Sequence, residues 1–114
     1  MSGMKIKLLI MLFFATAAVA QTQKENIEVR GNCDLCKKRI EKAALNTKGV
    51  KYASWTAETQ QLTLIYNAKK TSAKSVAKNI AAVGHEADSI VATEEAYNAL
   101  PACCMYKSVS AHGG

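Results

Sequence analysis

Gly31-Asn32-Cys33-Asp34-Leu35-Cys36-Lys37-Lys38-Arg39-Ile40-Glu41-Lys42-Ala43-Ala44 is the stretch that decides how this chain reads. Gly31-Asn32 breaks whatever precedes it, and two cysteines follow at C-x-x-C spacing. Cys36, Ile40, Ala43 and Ala44 then recur three and four residues apart, with the lysines and glutamate mostly elsewhere, which predicts an amphipathic helix over 37–46. Lys48-Gly49 ends it, since glycine suits the position just past a helix end. Cys33 is thus expected in a loop and Cys36 in the first helical turn. Unpaired backbone N–H groups and the helix dipole at that end favour negative charge, so thiolates form readily there. Lys37 and Lys38 add positive charge. Two thiolates so placed can converge on one soft ion: Cu(I), Zn(II) or Hg(II). Two sulfurs alone suit an ion content with two or three ligands, whereas zinc normally takes four.

Working outward, Ile27 and Val29 alternate with Glu28 and Arg30 as a short strand before the break, and residues 21–25 read as frayed and polar. After the helix, 50–56 alternates, with Ala53 and Trp55 opposite Tyr52, Ser54 and Thr56. A polar turn over 58–61 leads into Leu62-Thr63-Leu64-Ile65-Tyr66, whose Leu62, Leu64 and Tyr66 share a face. Thr71 or Ser72 can cap a second helix with the stripe Val76, Ala77, Ile80 and Val83, closed by Gly84. The last candidate strand, 85–92, alternates most weakly. The expected order is β-α-β-β-α-β, an α+β, ferredoxin-like sandwich with two helices on one face of a four-stranded antiparallel sheet. Thr93-Glu94-Glu95 then opens a further helical segment that Pro101 stops.

The chain's 114 residues allow one compact domain. Residues 8–20 form an apolar run ending in Ala-Val-Ala after a basic start at Lys5 and Lys7, the layout of a secretory leader cleaved after Ala20. At 13 residues the run is short for a membrane span, which needs roughly 20. The expected organisation is leader 1–20, domain 21–92 and C-terminal extension 93–114, with a periplasmic or secreted location. Without Lys5 and Lys7, 13 basic residues face 9 acidic ones, a formal net charge of +4. Nucleic-acid binding would call for more charge with interleaved aromatics. The basic group Lys37, Lys38, Arg39 and Lys42 reads as a solvated helix face or a docking surface for an acidic partner. No Ser/His/Asp set, paired-carboxylate arrangement or phosphate-cradling loop stands out, so binding is expected rather than catalysis.

Gly31-Asn32-Cys33-Asp34-Leu35-Cys36, then Ile40-Glu41-Lys42-Ala43, then Gly49-Val50 before a hairpin, resembles the heavy-metal-associated domain. That family includes copper chaperones, N-terminal domains of metal-pumping P-type ATPases and the periplasmic mercury-binding protein. The resemblance covers roughly 25–92. It implies the ferredoxin-like fold, metal coordination by Cys33 and Cys36, and ligand exchange at an exposed site with a metal-transporting membrane protein as donor or acceptor. The family usually reads Gly-Met-x-Cys-x-x-Cys; here the loop is one residue shorter and lacks the methionine.

Cys103 and Cys104 lie beyond that domain. A short helix and the Pro-Ala-Cys stretch could return them to the first pair, so Cys103, Cys104 or both are expected to cap the ion, giving three or four sulfurs. A disulfide, vicinal or to the first pair, and an independent pair stay open. His85, in the loop at the same end of the sheet, is the remaining ligand candidate, although a loop histidine more often has no such duty. His112 and Met105 are weaker candidates still. The rival function is a thiol–disulfide redox protein using both pairs. A monomer is favoured.

Overall fold

The structure is a computed structural model that describes residues 21–107; the expected leader, His112 and the end of the extension lie outside the described residues. Its elements are β1 (Thr22–Glu28), α1 (Asp34–Leu45), β2 (Val50–Thr56), β3 (Gln61–Asn67), α2 (Ala73–Ala82), α3 (Glu94–Asn98) and a 3₁₀ turn (Ala102–Cys104). β1 begins earlier than its apolar alternation suggests, because the polar residues 22–26 are recruited by pairing with β3 (Thr22 opposite Asn67, Asn26 opposite Thr63). Backbone pairing, not side-chain burial, holds that half.

β3 is the central strand, antiparallel to β1 on one side and β2 on the other. Its alternation is why: Leu62, Leu64 and Tyr66 are all buried on one face. A fully buried leucine contributes roughly 1.5–3 kcal/mol relative to exposure. Trp55 of β2 and Ile27 of β1 extend that face. Cys36, Ile40, Ala43 and Ala44 of α1 and Val76, Ala77 and Ile80 of α2 cover it, forming one core. Both helical stripes are those set by the three- and four-residue spacing. Ser72 caps α2 by accepting from Ser75 N–H.

The expected fourth strand is corrected. Among the described residues the sheet has three strands, and 85–92 contributes only isolated bridges, Val29 to Ala87 and Ala87 to Ile90. Arg30 N–H donates to the Glu86 carbonyl (2.9 Å) and Asp88 N–H to the Glu28 carbonyl (2.8 Å), so the segment starts as a neighbour of β1. It cannot continue. Asp88 (φ 47°) and Ser89 (φ 70°) are both left-handed, a two-residue reversal closed by mutual Ala87–Ile90 backbone bonds of 2.8 and 3.1 Å. Asp tolerates this conformation better than most residues. Val91 is thereby thrown outward, 62% exposed.

The reversal sends the chain back across the molecule. α3, capped by Thr93 accepting from Ala96 N–H, packs its Tyr97 and the following Leu100 onto the core. Gly84 makes room: its φ is +110°, and a Cβ there would stand 2.8 Å from the Ala96 carbonyl oxygen. Among the described residues no helix is long and apolar enough to cross a membrane.

Candidate metal centre

The first cysteine arm is built locally. Gln60, left-handed at φ 59° in the turn between β2 and β3, grips the loop ahead of Cys33 from both sides. Its Oε1 accepts from Gly31 N–H (3.1 Å) and its Nε2 donates to the Gly31 carbonyl (3.0 Å). Gly31 lies so close to Cys36, Trp55 and Ile40 that a Cβ would meet them at 3.1–3.2 Å. Trp55 Nε1–H donates to the Val29 carbonyl (2.8 Å), fixing the strand that feeds the loop. Cys33 is then the extended N-cap residue of α1, with Lys37 N–H donating to its carbonyl, and Cys36 sits in the first turn. Their sulfurs are 3.4 Å apart. Cys33 is half-buried and Cys36 is completely buried, which corrects the expectation of an exposed pair.

The second arm is built by aromatic packing. Tyr106, 1% exposed, donates its hydroxyl proton to the Gly84 carbonyl (3.0 Å) and accepts from Glu86 N–H (3.0 Å). Its ring stacks on His85 (5.7 Å between centroids), meets Tyr97 edge-on (5.1 Å) and lies beneath the Arg30 guanidinium (5.3 Å). Asn32 Nδ2 donates to the Cys103 carbonyl (3.1 Å), tying the 3₁₀ turn to the cysteine loop. Cys103 Sγ thereby comes within 2.9 Å of Cys33 Sγ, and Cys104 Sγ within 3.8 Å of it. Cys103 is exposed and Cys104 buried; all four cysteines are free thiols.

Among the described residues two groups could hold a metal ion, each with ligating atoms within 4.8 Å of one another: Cys33, Cys103 and Cys104 toward solvent, and Cys36, His85 and Cys104 inside. His85 is fully buried. Its Nδ1–H donates to the Arg30 carbonyl (2.7 Å), since a carbonyl can only accept, so Nε2 carries a lone pair; that atom is buried and has no hydrogen-bond partner among the described residues. A buried unsatisfied polar atom costs about 1–3 kcal/mol.

The electrostatics divide the thiols. For Cys33, desolvation opposes ionisation, but hydrogen bonding from Cys103 and the N–H groups of Cys36 and Leu35 outweighs it and brings the thiol from 9.0 down to about 7. Bond angles alone favour Cys33 as donor across the 2.9 Å contact. The helix-end N–H groups stabilise the anion on Cys33, so the shared proton resides on Cys103, whose own thiol is pushed up by that bond. Burial and the neighbouring Cys36 push Cys104 up strongly. Burial also lowers His85, with the Arg39 charge adding to the effect, so its imidazole is neutral.

The structure brings together Cys33, Cys36, Cys103, Cys104 and His85. Met105 is half-buried against the core. Lys37 does not serve the thiolates: its ammonium donates to Glu41 and to the Trp55 carbonyl. Arg39 donates to the Val83 carbonyl (3.1 Å), leaving Lys38 and Lys42 as the exposed cations of the expected basic face. Gln60, Asn32 and Tyr106 went unnoticed as positioning residues. Only Tyr106, an aromatic in a polar tail, carries a sequence signal.

The family model for the heavy-metal-associated domain matches residues 28–86. Among solved structures, the chain is similar to the CopZ metallochaperone at 27% identity and TM-score 0.55, covering 57% of this chain and 98% of that one. Oxidised MerP from Ralstonia metallidurans matches at 30% identity and TM-score 0.55, covering 58% and 93%. The Cu(I)-loaded N-terminal domain of a potential copper-translocating P-type ATPase from Bacillus subtilis matches at 26% identity and TM-score 0.56, covering 59% and 85%. No curated protein sequence matches.

Proposed function

Because the chain belongs to the heavy-metal-associated domain family, we propose that it binds a soft metal ion as cargo through Cys33 and Cys36, and traffics or sequesters it outside the cytoplasm. The observation that carries this reading is the gathering of three further sulfurs about Cys33, at 2.9, 3.4 and 3.8 Å. Soft ions are what clustered thiolates select. Cys103 and Cys104 close the site over the ion. Cys103, the exposed member, is the thiol an incoming partner meets first, and a metal-transporting membrane protein is the partner expected, approached through Lys38 and Lys42. Export rests on the leader-like residues 1–20. The ferredoxin-like reading of the fold is supported by the β1–β3–β2 order and by 86–88 starting a fourth position beside β1.

Titration of the reduced protein with Cu(I), Zn(II) and Hg(II) under anaerobic conditions, read by mass spectrometry and sulfur-to-metal absorption, tests the reading. Cys33→Ser/Cys36→Ser is expected to abolish stoichiometric binding; retention of binding would refute the site.

One observation favours the redox reading: Cys33, with its lowered thiol, stands 2.9 Å from Cys103. In that case the purified protein would exchange disulfides catalytically with a dithiol substrate and carry a reversible Cys33–Cys103 bond. Stoichiometric metal binding without thiol-exchange activity decides for the first reading.

A further inference from the structure

We infer that His85 is a metal ligand, its Nε2 joining Cys36 and Cys104 in a buried inner position that takes borderline divalent ions of the zinc class. The inference rests on the metal-binding reading above and extends it from sulfur alone to a mixed sulfur and nitrogen set.

Three observations carry it. First, the ligating atoms of Cys36, His85 and Cys104 lie within 4.8 Å of one another, and all three residues are buried. Second, Nε2 is the ring nitrogen left over. Nδ1–H is committed to the Arg30 carbonyl at 2.7 Å, which fixes the tautomer, and Nε2 is buried with no partner among the described residues. A histidine whose far nitrogen is tied to a backbone carbonyl is the usual arrangement of a metal-ligating imidazole. Tyr106 stacked on the ring and Arg30 over Tyr106 hold its plane. Third, the sulfur spacing suits an ion with more than two ligands. Metal–sulfur bonds of about 2.3 Å at tetrahedral angles separate two sulfurs by roughly 3.8 Å, whereas a linear two-coordinate ion with such bonds would hold them roughly 4.6 Å apart. Cys33 lies 3.4 Å from Cys36 and 3.8 Å from Cys104. Cys33, beside two of these sulfurs, is the thiol at hand to complete a Cys₃His set of the kind zinc favours once an ion draws the ligands together. Cys103 stays outside this set as the exposed thiol for exchange.

Loading requires each coordinating thiol to lose its proton to solvent; the imidazole, already neutral, loses none. No electron transfer is involved.

The decisive experiment is titration of the reduced, ¹⁵N-histidine-labelled protein with Zn(II), following the imidazole nitrogens by long-range ¹H–¹⁵N NMR. The His85 Nε2 resonance is expected to move from the lone-pair position to the metal-bound one, while Nδ1 remains protonated and bonded to Arg30. In parallel, His85→Asn, whose side-chain amide stands at the level of Nδ1 and can still donate to the Arg30 carbonyl while Nε2 is removed, is expected to loosen Zn(II) binding roughly tenfold or more. Zn(II) bound with an unmoved Nε2 resonance would overturn the inference and leave the metal-binding reading intact, as would Cu(I) binding without Zn(II) binding. Failure to bind either ion would overturn both.

Discussion

The two cysteine arms reach the same point by opposite means. Cys33 and Cys36 sit three residues apart on a loop and helix start held by neighbours in the fold: the Gln60 clamp, the packed Gly31 and the Trp55 bond to Val29. Cys103 arrives from 70 residues away and stays through Tyr97, Leu100 and Tyr106 packed into the core. The first arm is thus presented by the matched domain itself, whereas the second is a strap docked onto it. Family resemblance reaches residue 86 and so covers the first arm alone.

The sharpest way to break that division is Tyr106→Ala. Removing a buried ring with two hydrogen bonds is expected to cost about 3–5 kcal/mol in chemical denaturation, to free the strap, and to leave a weaker site built on Cys33 and Cys36. Loss of both arms together would show that they do not fold independently.

Gly84→Ala comes next. At φ +110° a side chain is strained, and its Cβ would meet Ala96 and Leu100 at 2.8 Å, so about 1–3 kcal/mol of destabilisation is expected. A change within 0.5 kcal/mol, on the order of a neutral surface substitution, would mean that α3 does not sit where described.

Gln60→Ala strikes the first arm instead. It removes both bonds to Gly31, with an expected cost of about 1–2 kcal/mol and weaker ion binding while the strap stays docked. Amide hydrogen exchange that loosens around Tyr106 as much as around Gly31 would contradict the separation.

The smallest effect concerns how the arms speak to each other. Cys33 has a lowered folded-state pKa, so its thiolate is present above pH about 7 and is lost as pH falls through that value. The pH profile of its alkylation should turn near 7, and Cys103→Ala, which removes the donor, should move the turning point upward, toward the ordinary 9.0. An unmoved profile would assign the effect to the helix N-terminus alone.

Much of this was readable in the sequence, for physical reasons that differ by region. The stripes Cys36, Ile40, Ala43, Ala44 and Leu62, Leu64, Tyr66 announced themselves because each element buries one face. The half of β1 over 22–26 did not, since its polar residues are held by backbone pairing that leaves no pattern. The segment 85–92 misled because weak alternation conceals a reversal at Asp88-Ser89 set by backbone dihedrals. Cys33 and Cys36 were legible from spacing, and the approach of Cys103 and Cys104 from chain length. His85 looked like an idle loop residue because its burial depends on Tyr106, and Gln60 was invisible because its clamp joins positions 29 residues apart.

The central claim is that thiols from both arms converge on one ion. X-ray absorption on the reduced protein loaded with one equivalent of Cu(I) tests it most directly. The account predicts more than two sulfur neighbours around copper, falling when Cys103→Ser/Cys104→Ser removes the strap's thiols. A two-sulfur copper, identical with and without those substitutions, would contradict it.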